Sequence, residues 1–446
     1  MKPCRKHDGG SLAWAIEWLV DDGMFAGQKR HGNMDWSLRG LATMALLWSW
    51  GGKEGLREHF QSGREVLKHL APREKCGRTY QGFIKILAKW SDRLRGILVA
   101  RLRERMRSIA GAWWTVHGWT VMAVDGTRVE APRTDDNLRH FKRRAAQNKR
   151  KRKSSRRSQR VPTSPQVWLT VMWHVGLGVL WDWRQGPTGS SERAHLHEMI
   201  DALPPRSLVV ADAGFSGYEY WSKLLENGHS FVIRVAGQVR LLRGLGFVRR
   251  RRNIVYLWPD KARHRRELPI ALRLLEFHDG RRSMWLATNI LDPNQITPRA
   301  MREIYRLRWG VEVFIRGFKQ TFGRGKLRSH APRNVEVELD WSLLALWSLE
   351  LLAVRELIAR DEPPADLSLA GALRAMHTSL HCAVVGVEFD LRSRLPARRN
   401  DGFTRVRKTI RNWPRKKSAD TTGPPIIRTA TKTEVSSAHE LQQQAV

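Results

Sequence analysis

The sequence predicts an α/β protein: a mixed sheet flanked by helices, entered through a helical N-terminal region. Residues 1–110 read as helical throughout. From Trp119 onward, short apolar runs rich in β-branched residues recur, closed by Gly, Asp or Pro. Helical segments separate the later runs, so the order becomes β-β-β-α-β-α-β before a long helix.

In the N-terminal region, residues 36–50 are apolar and end at Gly51-Gly52. Two amphipathic segments, 56–70 and 78–92, flank a turn with Pro72 and Gly77, and a third, 94–109, carries Arg101, Arg103, Arg105 and Arg107. Helix, short turn and basic helix fit either a helix-turn-helix DNA reader or an ordinary helical hairpin. The strand runs are TVMAVDGT (120–127), VWLTVMWHV (167–175) and GVLWDWRQ (178–185), followed by a helix at 190–203. SLVVADAGF (207–215), a short helix at 218–227 and SFVIRV (230–235) complete the set. Residues 236–283 alternate like edge strands, MWLATNI (284–290) is a further strand, and 337–358 and 366–393 read as helices. The tail from 398 is basic, then polar and Pro-containing, and reads as a flexible arm.

The chain has 446 residues, 79 Lys and Arg against 43 Asp and Glu, and a formal charge of +36. Such an excess implies a polyanionic partner, with nucleic acid favoured over an anionic membrane. The block 139–160 contains no acid and reads as a phosphate-binding loop or a solvated linker. The most apolar run, 339–354, is interrupted by Asp340 and Glu350, so no membrane span is expected. The N-terminus lacks the pattern of a signal peptide. Cys4, Cys76 and Cys382 form neither metal-ligand spacing nor a disulfide framework, which points to a reducing cytoplasm.

One stretch concentrates chemistry. In MREIYRLRWGVEVFIRGFKQTFGRGKLRSHAP (301–332), Arg308, Glu312 and Lys319 follow Tyr305 by three, seven and fourteen residues. On a helix these four fall within an arc of about 60°. Alone, such a stripe also fits surface ion pairs. Two aspartates change its weight: Asp125 closes the first strand run and Asp212 the fourth. With those strands adjacent and the late helix across their ends, Asp125, Asp212 and Glu312 converge. Singly, each Asp-Gly or Asp-Ala-Gly segment is also a plain turn. Three converging carboxylates suit a hard divalent cation, and paired ions suit phosphoryl displacement.

Together, VDGT, ADAGF and Tyr305-x2-Arg308-x3-Glu312-x6-Lys319 resemble the DDE transposases of bacterial insertion sequences, more narrowly the IS-four type with its Tyr-Arg-Glu-Lys signature. The resemblance runs from about 119 to 355 and implies a ribonuclease-H-like catalytic core with a β-rich insertion. It implies a helical DNA-binding region at 1–115, a core at 116–235 and 284–332, an insertion at 236–283, C-terminal helices at 333–397 and a tail at 398–446. It implies Asp125, Asp212 and Glu312 as catalytic ligands of two Mg²⁺ or Mn²⁺ ions. Tyr305, Arg308 and Lys319 would hold DNA phosphates, and Trp285 would stack on a flipped base or, alternatively, pack in the core. Trp309 would face DNA or pack. The implied activity is cleavage at the element's inverted-repeat ends and joining of 3′-OH ends to target DNA, by a homodimer in the bacterial cytoplasm at the nucleoid. A ribonuclease-H-like nuclease and a non-catalytic DNA-binding regulator are the alternatives.

Overall fold

The computed structural model describes residues 10–28, 34–52, 54–142, 164–247, 253–279, 282–398 and 423–445. The expectations for residues 143–160 of the basic block lie outside these. Among the described residues ten strands form one sheet: β1 (Thr120–Glu130), β2 (Gln166–His174), β3 (Val179–Pro187), β4 (Ser207–Ala211), β5 (Ser230–Val235), β6 (Arg240–Arg243), β7 (Ile254–Leu257), β8 (Ile270–Asp279), β9 (Arg282–Thr288) and β10 (Ile426–Thr429). Their order across the sheet is β10-β6-β7-β8-β9-β5-β4-β1-β2-β3.

The half containing β3-β2-β1-β4-β5 has the order of a ribonuclease-H-like core. β1 pairs antiparallel with β2, and β2 with β3. The chain then crosses through the helix Glu192–Met199, and β4 lies parallel to β1 on its other edge. A second crossover, the helix Tyr218–Glu226, brings β5 parallel to β4. β1 is thus a central strand, and Val121, Met122, Ala123 and Val124 are all fully buried. This explains why its run is continuously apolar rather than alternating. The segment 236–283 adds β6, β7 and β8 to the same sheet beyond β9, which pairs antiparallel with β5.

The apolar run near 339–354 belongs to the helix Pro332–Ile358, which is buried along most of its length. It is a strut that other elements grip through polar groups. Trp183 Nε1 donates to Asp340 Oδ1 at 2.7 Å, Trp50 Nε1 to the Ala345 carbonyl at 2.8 Å and Trp341 Nε1 to Ser91 Oγ at 3.0 Å. Among the described residues no helix is long and apolar enough to cross a membrane.

Two expectations about helices and the tail need correction. The segments 78–92 and 94–109 are one helix, Tyr80–Ala110. Its buried residues Phe83, Leu87, Leu94, Leu98, Leu102 and Met106 form one stripe, with neither Gly nor Pro to break it at Asp92-Arg93. Of the arginines at 101, 103, 105 and 107, the first three serve the fold. Arg103 bonds the Trp181 carbonyl at 3.0 Å and Asp182 at 3.0 Å, Arg105 the Trp18 carbonyl at 3.1 Å, and Arg101 pairs with Asp21. The tail, expected to be flexible, instead contributes β10 and the helix Lys432–Gln444 over residues 423–445. β10 pairs parallel with β6, and Thr431 and Glu434 form a capping box. Glu434 also takes both guanidinium nitrogens of Arg428, at 2.6 and 2.8 Å, which holds its carboxyl down near about 2. Ala438 packs beside Leu242, Leu245, Tyr256, Trp258 and Ala262.

Two outcomes follow. Glu434→Ala removes the fork and the box together, so amide exchange over 426–444 should accelerate while β1 and β4 stay protected. Unchanged exchange would show that the apolar contacts alone hold the tail. Burial lowers the His174 imidazole to about 4. The unfolded histidine binds its proton below about 6.5, and the folded one only near 4. Stability from neutral His174 is therefore full above pH 6.5 and falls by about 1.4 kcal/mol per pH unit between 6.5 and 4. Between pH 7 and 5, wild type should lose about 2 kcal/mol more than His174→Gln in denaturant titrations. Equal losses would contradict this.

Candidate active site

The site lies where β1 and β4 stop pairing. Their register runs from Thr120 opposite Ser207 to Ala123 opposite Val210. Carried two residues further, it sets Asp125 level with Asp212. β4 has by then ended at Ala211, and Asp212 caps the short turn Ala213–Phe215, with Oδ1 accepting from Gly214 N at 2.8 Å. Asp125 does not close its strand as expected; β1 continues to Glu130 because β2 goes on pairing with it, Asp125 opposite Val171. Asp125 Oδ1 accepts from Gly126 N at 2.9 Å. Burial, with lesser repulsion from Asp212 and Glu312, lifts the Asp125 carboxyl to about 6 against the pull of that amide and of Arg308.

The stripe from Tyr305 to Lys319 is broken rather than one even helix. Helices Pro298–Leu307 and Trp309–Arg316 meet at Arg308, and residues Gly317–Thr321 form a π-helical turn. The break is marked by short-range bonds from Arg308 N to the Tyr305 carbonyl and Val311 N to the Arg308 carbonyl, at 3.2 and 3.1 Å. At the same point the buried Trp173 indole lies against Gly310, where a Cβ would meet it at 2.1 Å. The π turn closes through Phe322 N to the Gly317 carbonyl at 2.8 Å.

Arg308 donates to Glu312 Oε1 at 2.7 Å, with its guanidinium 5.6 Å from the centre of the Tyr305 ring. Tyr305 itself is only 9% exposed, so its ring supports Arg308 from below. Lys319 Nζ donates to Thr127 Oγ1 at 2.5 Å, two residues beyond Asp125 on β1. Desolvation lowers the Lys319 ammonium. Trp285 is half-buried in β9 against the main core, opposite Val235 and Glu276. Trp309 is 59% exposed.

A fourth acid was missed. Glu192, in the first turn of the helix Glu192–Met199, is lifted to about 7 by burial first, then by Asp125 and Asp212. Its sequence neighbourhood reads only as a helix start, and no spacing ties it to the other acids. The available signal was the glycine directly after Asp125, Gly126, which leaves room for another group.

The donor chemistry fits a hard divalent cation: crowded, half-buried carboxylates and one guanidinium among them. As placed, no three His, Cys, Asp or Glu side chains among the described residues stand together closely enough to enclose a metal ion. Side-chain rotation, including release of Glu312 from Arg308, would be required for closure.

Residues 117–348, just over half of the chain, match the family model of the transposase DDE domain. The chain belongs to the DDE transposase family. It is 26% identical over 326 residues to "Transposase InsG for insertion sequence element IS4" of Escherichia coli (strain K12), covering 66% of this chain and 69% of the relative. A cryo-EM structure of a piggyBac transposase synaptic complex with hairpin DNA aligns with a TM-score of 0.43 and 10% identity, over 86% of this chain and 81% of that one. As a DDE transposase, the protein is a DNA-binding enzyme that cleaves and transfers DNA and depends on divalent metal.

Gly310 tests the placement of Glu312. Gly310→Ala sets a methyl against the rigid Trp173 indole and should lower stability by about 1–3 kcal/mol in chemical denaturation. Gly96→Ala, exposed in the helix Tyr80–Ala110 with open space around it, should raise stability by about 0.5–1 kcal/mol. Both variants shifting the same way would contradict the packing described.

Proposed function

We propose that this transposase binds the terminal inverted repeats of an insertion sequence, cleaves at the element ends and joins the 3′-OH ends to target DNA. Asp125, Asp212 and Glu312 are assigned as ligands of two Mg²⁺ or Mn²⁺ ions. Bound there, the cations would supply a more acidic water or hydroxyl and neutralise charge on the leaving oxygen. The observation that carries the reading is the register of β1 and β4, which levels Asp125 with Asp212 beneath the helix bearing Glu312.

The chain's own cations then have defined tasks. Arg308 is mostly buried and faces Glu312, so a DNA phosphate arriving there competes with that carboxylate for the guanidinium. Drawing Arg308 onto phosphate frees Glu312 to turn toward the aspartates. Tyr305 supports Arg308, and Lys319, held by Thr127, offers a point charge two residues along β1 from Asp125. Trp285 is assigned to base stacking at the cleaved end. Two ends must be processed together, which favours a homodimer on DNA, acting at the nucleoid in the bacterial cytoplasm.

Asp125→Asn tests the assignment. Gel-shift affinity for a terminal inverted-repeat duplex should stay within a few-fold of wild type, while cleavage and strand transfer with Mg²⁺ fall below detection. Retained cleavage would sink the ligand assignment. Arg308→Ala should weaken end binding and cleavage more than it lowers the melting temperature. The opposite pattern would make the Arg308–Glu312 pair a purely structural contact.

A further inference from the structure

Asp212 stands on a turn whose carbonyls are taken one by one. The Asp212 carbonyl accepts from Phe215 N at 3.1 Å, and the Phe215 carbonyl from the buried Trp221 Nε1 at 3.1 Å. Between them, the Gly214 carbonyl accepts from Arg193 Nε at 2.8 Å. The Ala213 carbonyl accepts from Ser216 N at 3.3 Å and from Gln238 Nε2 at 3.2 Å. Arg193 and Trp221 belong to the two crossover helices of the core. Gln238 does not. It lies in the link from β5 to β6, where the chain enters 236–283.

That link is held by the far end of the chain. Ile426 N donates to the Val239 carbonyl at 2.9 Å. On the other side of Gln238, the Pro424 carbonyl oxygen lies 3.6 Å from where a Cβ on Gly237 would stand, an ordinary packing contact. Pro425, between these two points of the tail, is buried. β10 then runs along β6, from Ile426 opposite Arg240 to Thr429 opposite Arg243. The Gln238 side chain is itself exposed, so water competes for its amide. Its aim at Ala213 therefore depends on a fixed backbone at 237–239. The path from the tail runs through Val239 and Gln238 to the Ala213 carbonyl, and so to the turn whose Gly214 N is capped by Asp212.

We propose that Gln238 is a positioning residue for Asp212, and that residues 423–429 keep it in that role by fixing the backbone on either side of it. The inference rests on the assignment of Asp212 as a ligand of the divalent cations. With β10 seated on β6, the turn presents the Asp212 carboxylate in one orientation. With β10 lifted away, the turn loosens and the cations are held more weakly, although β1 and β4 remain paired. The C-terminal segment thereby acts on the reaction from outside the catalytic core.

The test uses the full chain and two variants. Gln238→Leu keeps the size of the side chain and removes the donor. Ile426→Pro removes the N–H that holds Val239, on an edge strand and at a residue 52% exposed. In each variant, hydrogen exchange at the amides of 213–216 should accelerate while β4 and the helix Tyr218–Glu226 keep their protection. The Mg²⁺ concentration for half-maximal cleavage of an end duplex should rise about tenfold, with the rate recovering at saturating Mg²⁺. The double variant should shift no further than Gln238→Leu alone, because both changes act through one contact. A merely structural role would lower the maximal rate and leave the half-saturating Mg²⁺ unchanged, which would overturn the inference. So would a shift in Gln238→Leu with none in Ile426→Pro, since the tail would then have no part. If Asp212→Asn cleaves like wild type, the ligand assignment itself fails, and the inference with it.

Discussion

The site depends on the parallel pairing of β1 with β4, and on where that pairing stops. Four residue pairs set the register, and the strands separate just before the two aspartates. Were that pairing two residue pairs longer, Asp212 would be part of the ladder. Instead it caps a turn, and Asp125 keeps its place in β1 through β2 alone. Two carboxylates are thereby held level where the parallel pairing of β1 with β4 ends.

Around that edge the protein spends its charges in two different ways. Away from the site, arginines are consumed by the fold, as with Arg103 on the Trp181 carbonyl and Asp182, or Arg324 on the Ser49 carbonyl at 2.7 Å and Ser342 Oγ at 3.1 Å. At the site the balance reverses. Asp125, Asp212 and Glu192 crowd one another, and the Arg308 guanidinium beside Asp125 is turned toward Glu312. The helix Pro332–Ile358 connects the two regimes. Glu338 on that helix accepts from the backbone amides of Arg328 and Ser329 at 2.8–3.1 Å, which anchors the chain just after Lys319.

Much of this was legible in the residues. Buried central strands such as VMAV are apolar throughout because both faces are covered, so the strand set was legible, while the adjacency of its first and fourth members was an assumption that the β1–β4 pairing bears out. The stripe from Tyr305 to Lys319 was legible as spacing, but its break at Arg308 was not, because Gly310 and Trp173 lie far apart in sequence and meet only in the fold. Glu192 was invisible for the same reason: its partners are glycines and aspartates on other elements. The tail was misread because Thr431 and Glu434 look like ordinary polar residues until Arg428 and the β6 edge supply their complement. Composition likewise overstated the DNA-facing charge of the helix Tyr80–Ala110, since carbonyl acceptors for arginine leave no mark in sequence.

The most direct measurement is an anomalous difference map from crystals of the full chain with an end duplex and Mn²⁺. The account predicts Mn²⁺ peaks between the Asp125 and Asp212 carboxylates, with Arg308 drawn from Glu312 onto a DNA phosphate. Peaks elsewhere on the protein, or Arg308 still paired with Glu312 beside a bound end, would contradict it.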